Sequence, residues 1–117
     1  MRDFKKLRIW QKGFQLAVAT YKLSAELSAE ERFGLKSQIN RAAVSIPSNV
    51  AEGSARSSDK AYKQFIEYSL GSAYELETQL LIIKELELIQ GEDLDKLLAE
   101  VLNEQRMVSG FLSTLKA

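Results

Sequence analysis

The 117-residue chain carries 16 basic and 16 acidic residues, a single proline, no cysteine and no histidine. That length accommodates one hydrophobic core but not two, so residues 1–117 read as a single domain. Without cysteine there is no disulfide framework and no thiol chemistry; without histidine the commonest general base and transition-metal ligand are gone.

No apolar run approaches the roughly 20 residues of a membrane span. The opening Met1-Arg2-Asp3-Phe4-Lys5-Lys6-Leu7 is basic but lacks the continuous apolar stretch of a signal peptide. A cytoplasmic protein with no membrane partner is the expectation. Charge is balanced overall and uneven along the chain: residues 1–22 carry a net +5, 57–91 a net −3 and 92–117 a net −2. A basic start of this kind suits either acidic neighbours within an assembly or a nucleic-acid patch built from Arg2, Lys5, Lys6, Arg8 and Lys12.

Leu, Ala, Glu and Lys dominate and glycine is sparse, which favours helices throughout. In chain order, the apolar spacing predicts a first helix from about Lys6 to Ala25, its core stripe formed by Leu7, Trp10, Phe14, Ala17 and Tyr21 and widened by Ile9, Leu16 and Leu23. Ser28-Ala29-Glu30-Glu31 fits a capping box, and Arg32-Phe33-Gly34 closes a short turn. A second helix runs from about Leu35 to Glu52 with apolar Leu35, Ile39, Ala43, Ile46 and Val50 in phase. Gly53 fits a C′ residue, and Ser57 or Ser58 an N-cap. The third helix, about Asp59 to Leu88, has the seam Tyr62, Ile66, Ser69, Ala73, Leu76, Leu80, Ile83, and thins at Gly71 and Ser72 where a neighbour could come close. The fourth, from about Glu92 to Leu115, has the seam Leu94, Leu98, Val101, Gln105, Val108, Leu112, Leu115. Short connections between helices of this length make an all-α, up-down-up-down antiparallel four-helix bundle with a Pro-kinked second helix.

The second helix is unusual on its outer side. Gln38, Arg41, Ser45, Asn49 and Glu52 form a polar stripe at helical spacing where Lys and Glu are the ordinary choice. Ser and Asn lower helix propensity, and Pro47 costs roughly 3 kcal/mol in a helix interior. The carbonyl of Ala43, which Pro47 leaves without a donor, needs Ser45, Ser48 or an ordered water. A second polar stripe, Tyr68, Ser72, Glu75 and Gln79, runs along the third helix. Together they suggest a structural polar network of Gln38, Arg41, Ser45, Asn49, Glu52, Ser72 and Glu75, with Arg41 pairing Glu75 or Glu52 within or between subunits. Leu81, Leu88, Leu97, Leu102 and Phe111 fall off the seams and are expected to be partly exposed, which points to a homo-oligomer.

Three pieces carry a resemblance: Glu31-Arg32-Phe33-Gly34-Leu35, the run from Ser37 through Ser45-Ile46-Pro47-Ser48-Asn49 to Gly53, and Gly71-Ser72-Ala73-Tyr74-Glu75-Leu76-Glu77-Thr78-Gln79. With Leu7-Arg8-Ile9-Trp10-Gln11-Lys12 they resemble the 23S rRNA-intervening-sequence proteins, also called four helix bundle proteins, over essentially the whole chain. The resemblance implies a bacterial four-helix bundle that closes into a ring, a pentamer, with no established biochemical activity. The family is similar in fold to the accessory protein of diversity-generating retroelements, a basic pentamer that binds nucleic acid and a reverse transcriptase; this chain departs from it in being neutral.

Nothing in the sequence assembles a catalytic set. A carboxylate di-metal bundle uses Glu-x-x-His pairs, Gly53-Ser54-Ala55-Arg56-Ser57-Ser58 lacks the spacing and lysine of a phosphate loop, and Ser45 has no base. The reading is therefore a non-enzyme without cofactor or metal, whose partners are copies of itself, a protein, or RNA or DNA.

Overall fold

A computed structural model describes residues 2–31 and 33–117; Met1 and Arg32, the latter assigned above to the turn before the second helix, lie outside them. A 3-10 turn (Phe4–Lys6) leads into α1 (Arg8–Ser24), and a second one (Ala29–Glu31) precedes α2 (Leu35–Ser54). Two further helices, α3 (Asp59–Glu85) and α4 (Glu92–Ser113), complete an all-α, up-down-up-down bundle with no strand among the described residues. Each helix packs on its two neighbours in the cycle α1, α2, α3, α4, and among the described residues the backbones of the diagonal pairs do not come close.

Helix α2 runs unbroken through Pro47. Its inner face explains how. Ile39, Ile46 and Val50 are completely buried, and each such side chain stabilises the fold by about 1.5–3 kcal/mol, which together exceeds the proline's cost. The hydroxyls expected to serve the Ala43 carbonyl do not: Ser45 Oγ is engaged with Ser72 and Asn49, Ser48 is exposed, and no side chain donates to that oxygen among the described residues. Gly53 is not a C′ residue either. It sits inside the helix against α3, where a Cβ would lie 2.7 Å from that of Phe65. Close helix packing, not a left-handed turn, requires glycine there.

The core stripe of α1 is rotated from the expected one. Ile9, Gly13, Leu16, Thr20 and Leu23 face inward, while Phe14 and Tyr21 are more than half exposed, at 52% and 54%. The inward set is smaller in volume and lets α1 approach α2 closely at Gly13. The hydroxyl of Thr20 loses nothing by burial, since it donates to the Leu16 carbonyl at 2.7 Å. The aromatic stripe continues outside as a ladder, Phe4 on Trp10 and Trp10 on Phe14, with ring centroids 5.3 and 5.4 Å apart.

The α3 seam is as expected, with all seven residues buried. The helix stops at Glu85 because the chain turns there in a Schellman arrangement: the Leu88 amide bonds to the Ile83 carbonyl and the Glu87 amide to that of Lys84, with Glu87 at φ 55°. At its start Ser58 caps the Ala61 amide at 3.1 Å. No capping box forms at Ser28; the Glu31 amide bonds instead to the Ser28 carbonyl in the 3-10 turn. Gly71 faces open space rather than a neighbour. Leu97 is buried in the core, contrary to expectation, whereas Leu81, Leu88 and Leu102 are exposed.

Candidate functional site

The two polar stripes meet along the α2–α3 seam. Antiparallel packing sets Ser45 opposite Ser72, with the hydroxyl oxygens 2.7 Å apart. Asn49 reaches back one turn, its amide donating to the Ser45 carbonyl at 2.8 Å and hydroxyl at 2.9 Å. This turns a residue type that weakens helices into a tie within α2 and, through Ser45, to α3.

Beyond Ser45 the seam widens into a groove of about 440 Å³ lined by Gln38, Arg41, Ala42, Ser45, Glu75 and Gln79. Arg41 and Glu75 both line it, yet they form no ion pair with each other or with any described residue. Gln79 is nearly buried and its Oε1 has no hydrogen-bond partner. A guanidinium, a carboxylate and an unsatisfied amide oxygen thus share one concavity without satisfying one another. Tyr68, Ile82 and Leu86 lie at helical spacing from Glu75 on the same side of α3, and all are exposed.

Glu52 does not join this network. It pairs with Arg56 one turn on, at 3.1 Å, and the Arg56 guanidinium stacks over Phe65, 4.7 Å from the ring centroid. The basic residues near the N-terminus divide in two. Arg2 donates to the Arg56 carbonyl and to Asp59, both at 2.7 Å, and lies over the Tyr62 ring; Lys12 is ion-paired with Glu100 on α4. Lys5, Lys6 and Arg8 are exposed, with no ion pair among the described residues. The amphipathic patterns therefore locate the groove, but Arg2 and Lys12 are already committed inside the chain.

Sequence reasoning missed one residue. Glu104 on α4 is completely buried, and neither carboxyl oxygen has a hydrogen-bond partner. It faces Gly13, where a Cβ would come within 3.0 Å of its Oε2. Burial pushes its carboxyl from an ordinary 4.5 up to about 8, with Lys12 opposing. The signal was present: Glu104 is three residues after Val101 and four before Val108, so it occupies an apolar position of the α4 seam.

The fold and this seam define the class, an all-α four-helix bundle with a polar α2–α3 groove. The model of the 23S rRNA-intervening sequence protein family matches residues 5–110, and the chain belongs to that family. Among solved structures it is similar to a Bacteroides thetaiotaomicron protein of unknown function from the S23 ribosomal protein family, with a TM-score of 0.83. The two are 22% identical, and the likeness covers 91% of this chain and 99% of that one. At that identity the likeness establishes the fold. A comparison with curated proteins finds no match. None of the described helices is long and apolar enough to cross a membrane.

Proposed function

We propose that this chain assembles with copies of itself through the α2–α3 face and acts, without catalysis, as a cytoplasmic scaffold or adaptor. The observation that carries this reading is the α2–α3 groove, where Arg41, Glu75 and Gln79 Oε1 lack partners beside the exposed Tyr68, Ile82 and Leu86. A polar centre flanked by aromatic and aliphatic side chains is the chemistry of a protein interface. The exposed Phe14 and Tyr21 on α1 supply a second surface. Head-to-tail contact between two different surfaces of this kind builds a closed ring where the rotation between copies closes on itself. Five copies is the number the family likeness implies. The absence of histidine and cysteine from the sequence leaves Ser45 without an activating base, which supports a non-catalytic role.

Light scattering on the purified chain tests this. The wild type is expected at a multiple of 13.2 kDa, and Arg41→Glu or Glu75→Arg at the monomer mass with helicity intact. If the two pair across subunits, the double exchange restores the multimer. A wild-type monomer at every accessible concentration overturns the proposal.

The free Lys5, Lys6 and Arg8 favour a second reading, an RNA- or DNA-binding accessory protein in which a modest basic patch is multiplied around the ring. Binding to single-stranded or structured RNA that weakens steeply with salt, and is lost on reversing these three charges, supports it; undiminished binding by the reversed variant rejects that patch.

A further inference from the structure

The buried carboxyl of Glu104 and the proline in α2 are two anomalies in one place. A point one Cβ away from Gly13 lies 3.0 Å from Glu104 Oε2, 3.1 Å from Ile46 Cγ2 and 3.4 Å from the Pro47 nitrogen. One side is a carboxyl with neither oxygen satisfied. The other is a helix turn whose Ala43 carbonyl has lost its usual donor, because Pro47 has no N–H. Other α2 carbonyls nearby do receive side-chain donors: Ser69 donates to Ile46 at 2.8 Å and Asn49 to Ser45 at 2.8 Å. Ala43 receives none.

We infer that Glu104 is kept as the neutral carboxylic acid and donates its proton to the Ala43 carbonyl, so that α4 supplies the hydrogen bond Pro47 removed. The match is one of type as well as place. The hydroxyls of Ser69 and Thr20 are already committed to the Ile46 and Leu16 carbonyls, which leaves a protonated carboxyl as the uncommitted O–H, and an ionised one would place a charge against a carbonyl dipole. Helix α4 thereby becomes a proton-dependent clamp on α2.

Burial favours the neutral form, against one opposing charge. From α1, Lys12 is the charged group acting on Glu104, and it is already ion-paired with Glu100, one turn earlier on α4. From α2, the facing Ile46 and Pro47 carry no titratable group; on α3, Ser69 and Ala73 carry none, and the acid Glu77 is bonded by Gln105 at 2.8 Å. The unfolded chain releases this proton near 4.5 and the folded chain only near 8. Between those values the folded state holds more protons, so stability from this group is full below the lower value, falls as pH rises through the window, and is constant above it.

The test uses infrared spectroscopy and thermal unfolding on the full chain. At about pH 6 a protonated-carboxyl stretch is expected in the wild type, absent from Glu104→Gln and disappearing with a midpoint of about 8. Glu104→Gln, whose amide still donates, is expected to abolish this group's share of the pH slope in melting temperature. Pro47→Ala returns a backbone donor to Ala43 and is expected to lower the midpoint by about one pH unit, a tenfold change. A Glu104 already ionised at about pH 6, or a midpoint indifferent to Pro47→Ala, overturns the inference. Should Pro47→Ala not fold, Glu104→Gln and Glu104→Met decide: the amide is expected to be tolerated and the thioether not, and equal stability of the two refutes the donor role.

Discussion

Two polar clusters interrupt the apolar core of this bundle, and water treats them differently. Along the α2–α3 seam, Ser72 and Asn49 both bond to Ser45 at the edge of an open groove, and the Arg41 and Glu75 side chains are exposed along it. At the α1–α2–α4 crossing, Glu104 is sealed. A charge costs little when solvent stays beside it and several kcal/mol when solvent is removed. The open cluster therefore keeps its charges for an outside partner, and the closed one gives its charge up. Polar residues at inward spacing thus take their meaning from what lies over them.

Ile46 belongs to both regions. Its carbonyl accepts from Ser69, its Cγ2 faces the Gly13 crossing, and it is fully buried. Ile46→Ala is expected to have the largest effect considered, a loss of about 2–5 kcal/mol, read as a lower urea midpoint. A loss under about 1 kcal/mol would mean that the two clusters, rather than the apolar column between them, hold α2 in place.

Most of this architecture was legible in the periodicity. The α2, α3 and α4 seams are the core residues read from their spacing, because large aliphatic side chains at an unbroken helical repeat leave one inward face. On α1, Ile9, Leu16 and Leu23 of the expected set are buried, but the stripe is rotated because hydrophobicity ranks Phe14 and Tyr21 above Gly13 and Thr20. The fold selected volume instead: at a close crossing, small side chains go inside and rings go out. Two polar stripes at matching spacing point to the Ser45–Ser72 contact, whereas the groove beside it, with Arg41 and Glu75 unpaired, and the pairing of Arg2 with Asp59 depend on how helices and a 3-10 turn are placed, which no local pattern specifies. Glu104 was overlooked because an acid on a helix is ordinarily a solvated one.

Two glycines sharpen the contrast with one substitution. Gly13→Ala places a methyl against Glu104 Oε2 and Ile46 Cγ2, and crowding of that kind costs about 1–3 kcal/mol, somewhat offset by helix propensity. Gly71→Ala on α3, in the open region, meets nothing within 4 Å, so the isolated chain is expected to gain up to about 1 kcal/mol. Thermal melts of both, at a concentration where light scattering gives the monomer mass, check the opposite signs. A stabilised monomer of Gly71→Ala that no longer assembles would place a neighbouring copy against that position.

The smallest expected effect marks where the groove ends. Glu52 continues the polar stripe of α2 by one turn, yet its partner is Arg56 on the same helix, and both side chains are largely solvated, at 55% and 44% exposure. An i,i+4 pair in water gains little, because solvent screens it and two long side chains must be ordered to make it. Glu52→Gln is therefore expected to change stability by no more than about 0.5 kcal/mol and to leave the assembled mass as it is, while Arg41→Glu and Glu75→Arg, three turns and fewer away along the same face, disrupt it. Equal disruption by all three would extend the interface to the C-terminal end of α2 and make the Arg56 pair an alternative partner that assembly displaces. An unchanged mass confines recognition to the concave stretch between Gln38 and Ser45, where unpaired charge and unsatisfied amide oxygen coincide.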